Sequence, residues 1–183
     1  IVGAGPAGIF AAYELAEKKP GLSIVVLESG NDIHHRCCPI SAGKVKSCIG
    51  CKPCDIMRGF GGAGAFSDGK YNFTTQFGGW LGEYISSSEV MNLIEYVDEI
   101  NMRHGAPAKV FSTKGSKIGK LALEHDLHLL EASVRHLGTE NNLRMLEKTY
   151  EYMKGRVEFR FHEPVRHILS DGEGENVLEL ESG

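Results

Sequence analysis

The sequence predicts an α/β protein whose core is a Rossmann-like domain, a parallel sheet with helices, and its first 28 residues carry most of that prediction. The chain opens with Ile1-Val2-Gly3-Ala4-Gly5-Pro6-Ala7-Gly8, in which the glycines form a G-x-G-x-x-G pattern. Small and apolar residues follow over 9–16, and the apolar run over 22–27 predicts a buried strand that Glu28 closes. This order indicates a βαβ unit with an acid twenty residues beyond the third glycine, as dinucleotide-binding units require.

Each residue type in this unit has a mechanical reason. Gly3 permits the tight turn that leaves the first strand, Gly5 lets backbone approach a pyrophosphate, and Gly8 lets the helix pack on the strand. The helix N-terminus offers unpaired N–H groups to phosphates, and Glu28 is placed to accept hydrogen bonds from ribose hydroxyls. The predicted cofactor-binding residues of this segment are Gly3, Gly5, Pro6, Ala7, Gly8 and Glu28.

The rest of the chain divides by composition into a mainly helical insertion and a return to the sheet. We expect residues 1–82 to form the βαβ unit with two loops, 83–155 the insertion, and 156–183 a β-meander that rejoins the first domain. Ser86 and Glu89 have capping-box spacing at the start of a helix that Gly105 ends. A second helix is predicted over 139–153, with Gly155 as its stop and a buried stripe of Leu143, Leu146, Tyr150 and Met153.

The predicted meander consists of strands over 157–161, 165–169 and 177–180, with turn chemistry at Asp171-Gly172-Glu173-Gly174. A short strand is predicted over 108–112, while 127–130 is compatible with strand or helix. Only Ile1 and Val2 precede the first glycines, and Ser182-Gly183 is turn chemistry, so we expect the natural protein to extend beyond both ends.

A second glycine-rich segment runs from Gly59 to Lys70, which indicates backbone in close approach or at positive φ. Within it, Gly64-x-x-x-x-Gly69-Lys70 matches most of a triphosphate-binding P-loop. Tyr71 stands where magnesium coordination needs Ser or Thr, and no β-branched strand precedes the loop. The pattern therefore argues against a triphosphatase.

Together these segments resemble the bacterial FAD-dependent dehydrogenases of largely unassigned substrate, over the amino-terminal portion of such proteins. The resemblance rests on the fingerprint, on Leu27-Glu28-Ser29-Gly30 with a following Arg36, and on the segment from Gly61 to Lys70. It implies that FAD is the cofactor, that Glu28 holds the adenosine ribose, and that Arg36 lies near the adenosine-phosphate end. The second segment would wrap the pyrophosphate, ribityl chain or flavin edge, through Gly61, Gly62, Ala63, Gly64, Ser67, Asp68 and Lys70.

The resemblance implies a flavin-dependent oxidoreductase acting on a small-molecule substrate with an electron donor or acceptor. The residues alone leave two alternatives open: an NAD(P)-binding dehydrogenase, since the fingerprint fits either cofactor, and a cysteine-ligated electron-transfer or binding module. Lys70 is compatible with stabilising reduced flavin or with an ordinary surface position. No residue is assigned as a catalytic acid or base.

All five cysteines lie between Cys37 and Cys54. Cys48-x-x-Cys51-x-x-Cys54 approaches the spacing of an iron–sulfur ligand run, with Cys38 as a fourth thiolate, and zinc also accepts four thiolates. A redox-active pair such as Cys48 with Cys51 is a third interpretation, and inert reduced thiols are a fourth. The sequence does not select among these, so no metal ligand is assigned.

The bulk composition excludes some classes of partner. Twenty basic residues against 24 acidic ones give a net charge of −4 without a basic stripe, which argues against nucleic-acid binding. No segment is apolar for long enough to span a bilayer, so no membrane association is expected. An odd cysteine count argues against a disulfide scaffold and favours a cytoplasmic protein.

Overall fold

The computed structural model describes residues 1–170, 172 and 176–181. Contacts divide the chain into two compact units, one formed by 1–66 with 146–183 and the other by 67–145. The elements in chain order are α1 (Pro6–Lys18), β1 (Val25–Glu28), a 3₁₀ turn (Gly62–Phe66), β2 (Lys70–Phe73), a 3₁₀ turn (Leu81–Glu83), α2 (Ser87–Arg103), β3 (Phe111–Ser112), α3 (Lys117–Glu124), β4 (Ser133–His136), α4 (Thr139–Met153), β5 (Glu158–Phe161), β6 (Val165–Ser170) and β7 (Asn176–Leu180). Asp171, Glu173 and Gly174 of the predicted turn, and Ser182-Gly183, lie outside the described residues.

The first unit contains the predicted parallel βαβ arrangement. The Leu27 amide donates to the Ile1 carbonyl at 3.0 Å and the Gly3 amide donates to the Leu27 carbonyl at 2.7 Å, so the chain start runs parallel to β1. On its other side β1 pairs in parallel with β5, with Val26 opposite Phe159. The α/β Rossmann-like fold class is confirmed.

The core of this unit combines aliphatic and aromatic side chains. Helix α1 buries Ile9, Ala12 and Tyr13. The fully buried Phe60 meets Tyr150 edge-on, with ring centroids 5.0 Å apart. Burying each large apolar side chain stabilises the unit by about 1.5–3 kcal/mol. This packing holds the loops at the carboxyl end of β1.

The predicted β-meander differs from the strand pairing that the structure shows. The first of its three strands, β5, joins the parallel sheet, and only β6 and β7 form an antiparallel pair. After β5 the His162 amide donates to the Gly30 carbonyl and the Glu163 amide donates to the Glu28 carbonyl. The chain therefore continues along the end of β1 instead of turning back on β5.

The second unit holds a three-stranded antiparallel sheet in the order β2-β4-β3, which the sequence analysis did not predict. Helix α3 of this unit was not predicted either. Helix α2 has the predicted capping box, since the Ser86 and Glu89 side chains each accept a hydrogen bond from the other's backbone amide. Buried Arg135 on β4 forms an ion pair with buried Asp98 on α2, with Nε and Oδ1 2.6 Å apart. The predicted strand over 108–112 is limited to β3, and 127–130 is neither helix nor strand.

Helix α4 has the predicted bounds, but its predicted buried stripe is displaced by about one residue. Leu143, Leu146 and Tyr150 are only partly buried, whereas Met153 is fully buried. The remaining buried positions are Asn142, Met145 and Thr149. Two of these buried positions are polar, so a stripe of apolar residues at helical spacing does not reveal them. Among the described residues, no helix combines the length and apolar character needed to cross a bilayer.

Candidate dinucleotide-binding site

The first glycine-rich turn has the geometry that its sequence predicts. Gly3 adopts φ 88°, a conformation that favours glycine. A Cβ added to Gly8 would lie 2.0 Å from the Gly3 carbonyl oxygen, so this helix-to-strand contact admits only glycine. A Cβ added to Gly5 would meet no atom within 4 Å and would project into open space. Gly5 therefore leaves room for a ligand beside the turn.

The N-terminus of α1 faces that open space. Gly5 is the N-cap, Pro6 begins the helix, and Pro6 and Ala7 are exposed. In the described part of the chain no side chain caps this end and no acidic residue lies in its first turn. The positive end of the helix dipole and the first N–H groups are thus available to an anion.

The second glycine-rich segment packs directly on this turn. The Gly61 amide donates to the Ala4 carbonyl at 2.8 Å. A Cβ on Gly62 would lie 3.3 Å from the Gly5 Cα, which shows how closely the two backbones approach. The predicted residues that the structure places beside the fingerprint are Gly61, Gly62, Ala63 and Gly64, the last three within the 3₁₀ turn.

Glu28 lies buried between the two glycine-rich segments, with 6% of its surface exposed. Its Oε2 accepts from the Ala4 amide at 2.7 Å, and its Oε1 accepts from the amides of Gly30 at 2.8 Å and Gly59 at 2.9 Å. The Ser29 hydroxyl also donates to Oε1 at 3.2 Å. Burial raises the pKa of Glu28, but these four donors outweigh it and bring the pKa below its ordinary value.

Arg36 is also buried, and its hydrogen bonds go to backbone carbonyls. Nη1 donates to the carbonyls of Phe60 and Gly62, each at 2.7 Å. Nη2 donates to those of Asp55 and Ile56, and Nε donates to Asp55. Burial lowers the pKa of Arg36, and the negative charges of Asp55, Glu28 and Cys54 oppose that shift. All five guanidinium N–H groups therefore hold the segment that precedes and enters the 3₁₀ turn, a use that the sequence did not predict.

Sequence reasoning did not single out Gly30 and Gly59 as site residues. A Cβ on Gly30 would lie 2.5 Å from the Gly59 nitrogen, and a Cβ on Gly59 would lie 2.5 Å from the Asn31 carbonyl oxygen. Gly59 also adopts φ 113°. These two glycines bring the second segment within reach of Glu28. The sequence signal for Gly30 is its position two residues after Glu28, while no comparable spacing points to Gly59.

Three predicted site residues belong to the second unit. The Ser67 hydroxyl accepts from the Gly69 amide at 3.1 Å, which closes a local turn before β2. Asp68 and Lys70 are exposed and form an ion pair at 2.6 Å. The hydrogen bond and charge of Lys70 lower the pKa of Asp68. Lys70 begins a strand, whereas the lysine of a P-loop leads into a helix, which agrees with the sequence argument against a triphosphatase.

The second unit also contains a cavity of about 500 Å³, whose walls carry the charged side chains of Glu95, Lys114, Glu131 and Arg135. The Arg135 side chain is already engaged, since its Nη2 donates to Asp98 Oδ2 at 2.7 Å. No catalytic acid or base is assigned.

The comparisons with known proteins agree with this geometry. Residues 1–44 match the model of a family described as an NAD(P)-binding Rossmann-like domain. An uncharacterized protein from Clostridium beijerinckii is 29% identical over 158 residues, which cover 86% of this chain and 26% of the relative. The chain thus spans about a quarter of the length of that relative. Residues 1–44 therefore resemble an NAD(P)-binding Rossmann-like domain in sequence, and the parallel strands and helix of this unit have the corresponding arrangement.

Proposed function

We propose that this chain is the FAD-binding part of a flavin-dependent dehydrogenase that acts in the cytoplasm. The observation that carries the proposal is the contact between the two glycine-rich segments, where Gly62 approaches Gly5 beside an uncapped helix N-terminus. Because of this contact, the backbone of the second glycine-rich segment lies beside the Gly3–Gly8 turn and enlarges the backbone surface that can face the phosphates of a dinucleotide. The resemblance of both segments to bacterial FAD-dependent dehydrogenases favours FAD over NAD(P).

In this proposal the backbone of Gly5, Ala7 and Gly8 binds the pyrophosphate at the positive end of α1. Glu28 remains ionised because its pKa is lowered, and among the described residues its Oε2 accepts one hydrogen bond, from the Ala4 amide. A carboxylate oxygen has two lone pairs, so Oε2 keeps capacity for a ribose hydroxyl. Arg36 acts indirectly, because it holds the carbonyls of the second segment in place.

When bound, FAD would accept a hydride or electrons from a small-molecule substrate and pass them to an electron acceptor. The residues of this chain bind and orient the cofactor in that scheme. An NAD(P)-binding dehydrogenase is the second candidate, favoured by the family model that matches residues 1–44.

The test identifies the cofactor released on denaturation. The protein should purify with a flavin absorbance spectrum and release FAD, as identified by chromatography and mass spectrometry. Gly5→Val should lose the cofactor while keeping the wild-type circular dichroism spectrum, since the new side chain enters open space. Gly21→Ala, at another glycine with no atom within 4 Å of an added Cβ, is the matched control and should retain the cofactor. Release of NAD(P) in place of FAD would refute the flavin assignment, and a normal FAD content in Gly5→Val would place the phosphates elsewhere.

A further inference from the structure

Four of the five cysteines line one small cavity of the first unit. Cys38, Cys48, Cys51 and Cys54 contribute to the walls of a space of about 30 Å³, and isoleucine, valine and proline side chains form most of the rest. In the described structure Cys37 is not part of this lining, although both Cys37 and Cys48 are exposed. The fold therefore separates one thiol from four, and four thiolates are the full ligand set of a zinc or iron–sulfur centre.

We propose that Cys38, Cys48, Cys51 and Cys54 are the ligands of one thiolate-bound metal centre, and that Cys37 is not a ligand. Two-residue separations between Cys48, Cys51 and Cys54 let successive thiolates of a loop turn towards a common point. Soft thiolate ligands select zinc or iron–sulfur clusters over magnesium, calcium and manganese. A redox pair would account for two of these cysteines and leave unexplained why the other two line the same cavity.

The ligand geometry has to be completed by binding. Within the described chain no three His, Cys, Asp or Glu side chains stand in an arrangement that holds an ion. The segment over 37–61 consists of turns and bends without helix or strand, so the sulfurs can converge through loop and side-chain shifts. The free energy of metal binding then contributes to ordering this segment.

That ordering would reach the cofactor segment through the backbone. Cys54 is followed directly by Asp55 and Ile56, whose carbonyls accept hydrogen bonds from Arg36. Arg36 in turn holds the Gly62 carbonyl. A metal centre at Cys54 therefore braces the residues that position the second glycine-rich segment.

The experiment measures metal in protein purified without oxygen. Zinc, iron and acid-labile sulfide are quantified in the wild type, in Cys48→Ser and in the matched control Cys37→Ser. We expect about one metal centre per chain in the wild type and in Cys37→Ser, and a loss of most of it in Cys48→Ser. Zinc without sulfide would identify a single ion, and iron with equimolar sulfide would identify a cluster; either result supports the centre.

A second readout needs no variant and separates the metal centre from the dinucleotide site. Native protein is alkylated and digested, and each cysteine is quantified by mass spectrometry before and after the metal is removed. Cys37 should react at once, and the other four should react only after metal removal. Three results would overturn the proposal. The first is that the protein neither retains metal nor takes it up when zinc, or iron with sulfide, is added. The others are that Cys37→Ser loses metal as Cys48→Ser does, and that a disulfide between Cys48 and Cys51 is recovered. Cofactor identity is measured independently, so its failure leaves this result interpretable.

Discussion

Replacing Glu28 by Gln tests whether its carboxylate joins the two glycine-rich segments. The substitution keeps the size of the side chain and removes its charge. Its amide oxygen can still accept at the Oε1 position, from Ser29, Gly30 and Gly59. Its NH₂ group then replaces Oε2 and faces the Ala4 amide, which is itself a donor.

The expected magnitude follows from these contacts. A buried Ala4 N–H that loses its acceptor costs about 1–3 kcal/mol. The remaining bonds change from charge-assisted to neutral and lose about 1 kcal/mol each, while the smaller cost of burying a neutral group offsets part of that loss. We expect the free energy of unfolding to fall by about 2–4 kcal/mol, a large share of the about 5–15 kcal/mol typical of a domain.

Urea denaturation followed by circular dichroism measures this change. The matched control is Glu158→Gln on β5, where the carboxylate is exposed and pairs with Arg160 at 2.7 Å. Surface pairs of this kind contribute at most about 1 kcal/mol, so the control should unfold close to wild type. Equal stabilities of the Glu28→Gln and Glu158→Gln variants would refute the reasoning.

The pH dependence of the same difference gives an independent check. The pKa of Glu28 is lowered in the folded state, so its stabilising effect is complete above the pKa of an unperturbed glutamate, 4.5. That effect is lost as the pH falls through the lower folded pKa. Gln does not titrate, so the stability difference between wild type and Glu28→Gln should narrow in acid and remain constant near neutrality.

Two further substitutions test other contacts. Gly8→Ala places a Cβ 2.0 Å from the Gly3 carbonyl oxygen. It should lower the free energy of unfolding by about 3 kcal/mol, the upper end of what overpacking usually costs. The control Gly21→Ala, whose Cβ enters open space, should leave the free energy of unfolding within about 0.5 kcal/mol of wild type. Asp98→Asn leaves the buried Arg135 guanidinium without its countercharge and should cost about 3–5 kcal/mol by urea denaturation. A loss below 1 kcal/mol in either Gly8→Ala or Asp98→Asn would contradict the corresponding contact.

Local signals in the sequence predicted the elements whose causes are local. The Ser86–Glu89 capping box and the bounds of α4 depend on neighbouring residues in one helix, and both are present as predicted. The parallel βαβ order follows from the spacing of glycines, helix and acid within 28 residues. Such patterns can be recognised in a sequence because the residues that form the backbone hydrogen bonds, or the buried face of a helix, lie close together in the chain.

Elements that depend on distant partners were missed or misassigned. β2 (Lys70–Phe73) and β4 (Ser133–His136) are four-residue strands that pair although they lie far apart in the chain. Neither has an alternation of apolar and polar residues long enough to stand out. The sequence analysis placed β5 in one meander with β6 and β7. In the structure the amides of His162 and Glu163 donate to the carbonyls of Gly30 and Glu28, so the chain follows β1 after β5, and the sequence alone does not show these bonds. In each case the strand pairing depends on hydrogen bonds between segments that are far apart in the sequence.

The same distinction applies to Glu28 and Arg36. The sequence predicted both as site residues, but it did not show that they bind backbone groups of the second glycine-rich segment. The second glycine-rich segment needs irregular backbone to approach the first, and irregular backbone lacks the partners that helices and strands supply. Glu28 accepts from the Gly59 amide, and Arg36 donates to the carbonyls of Phe60 and Gly62. Two buried side chains of opposite charge thus satisfy the N–H and C=O groups that a regular element would have paired. The negative charge of Glu28 also opposes the cost of burying the Arg36 guanidinium, so the acid supports the base as well as the backbone of the second segment.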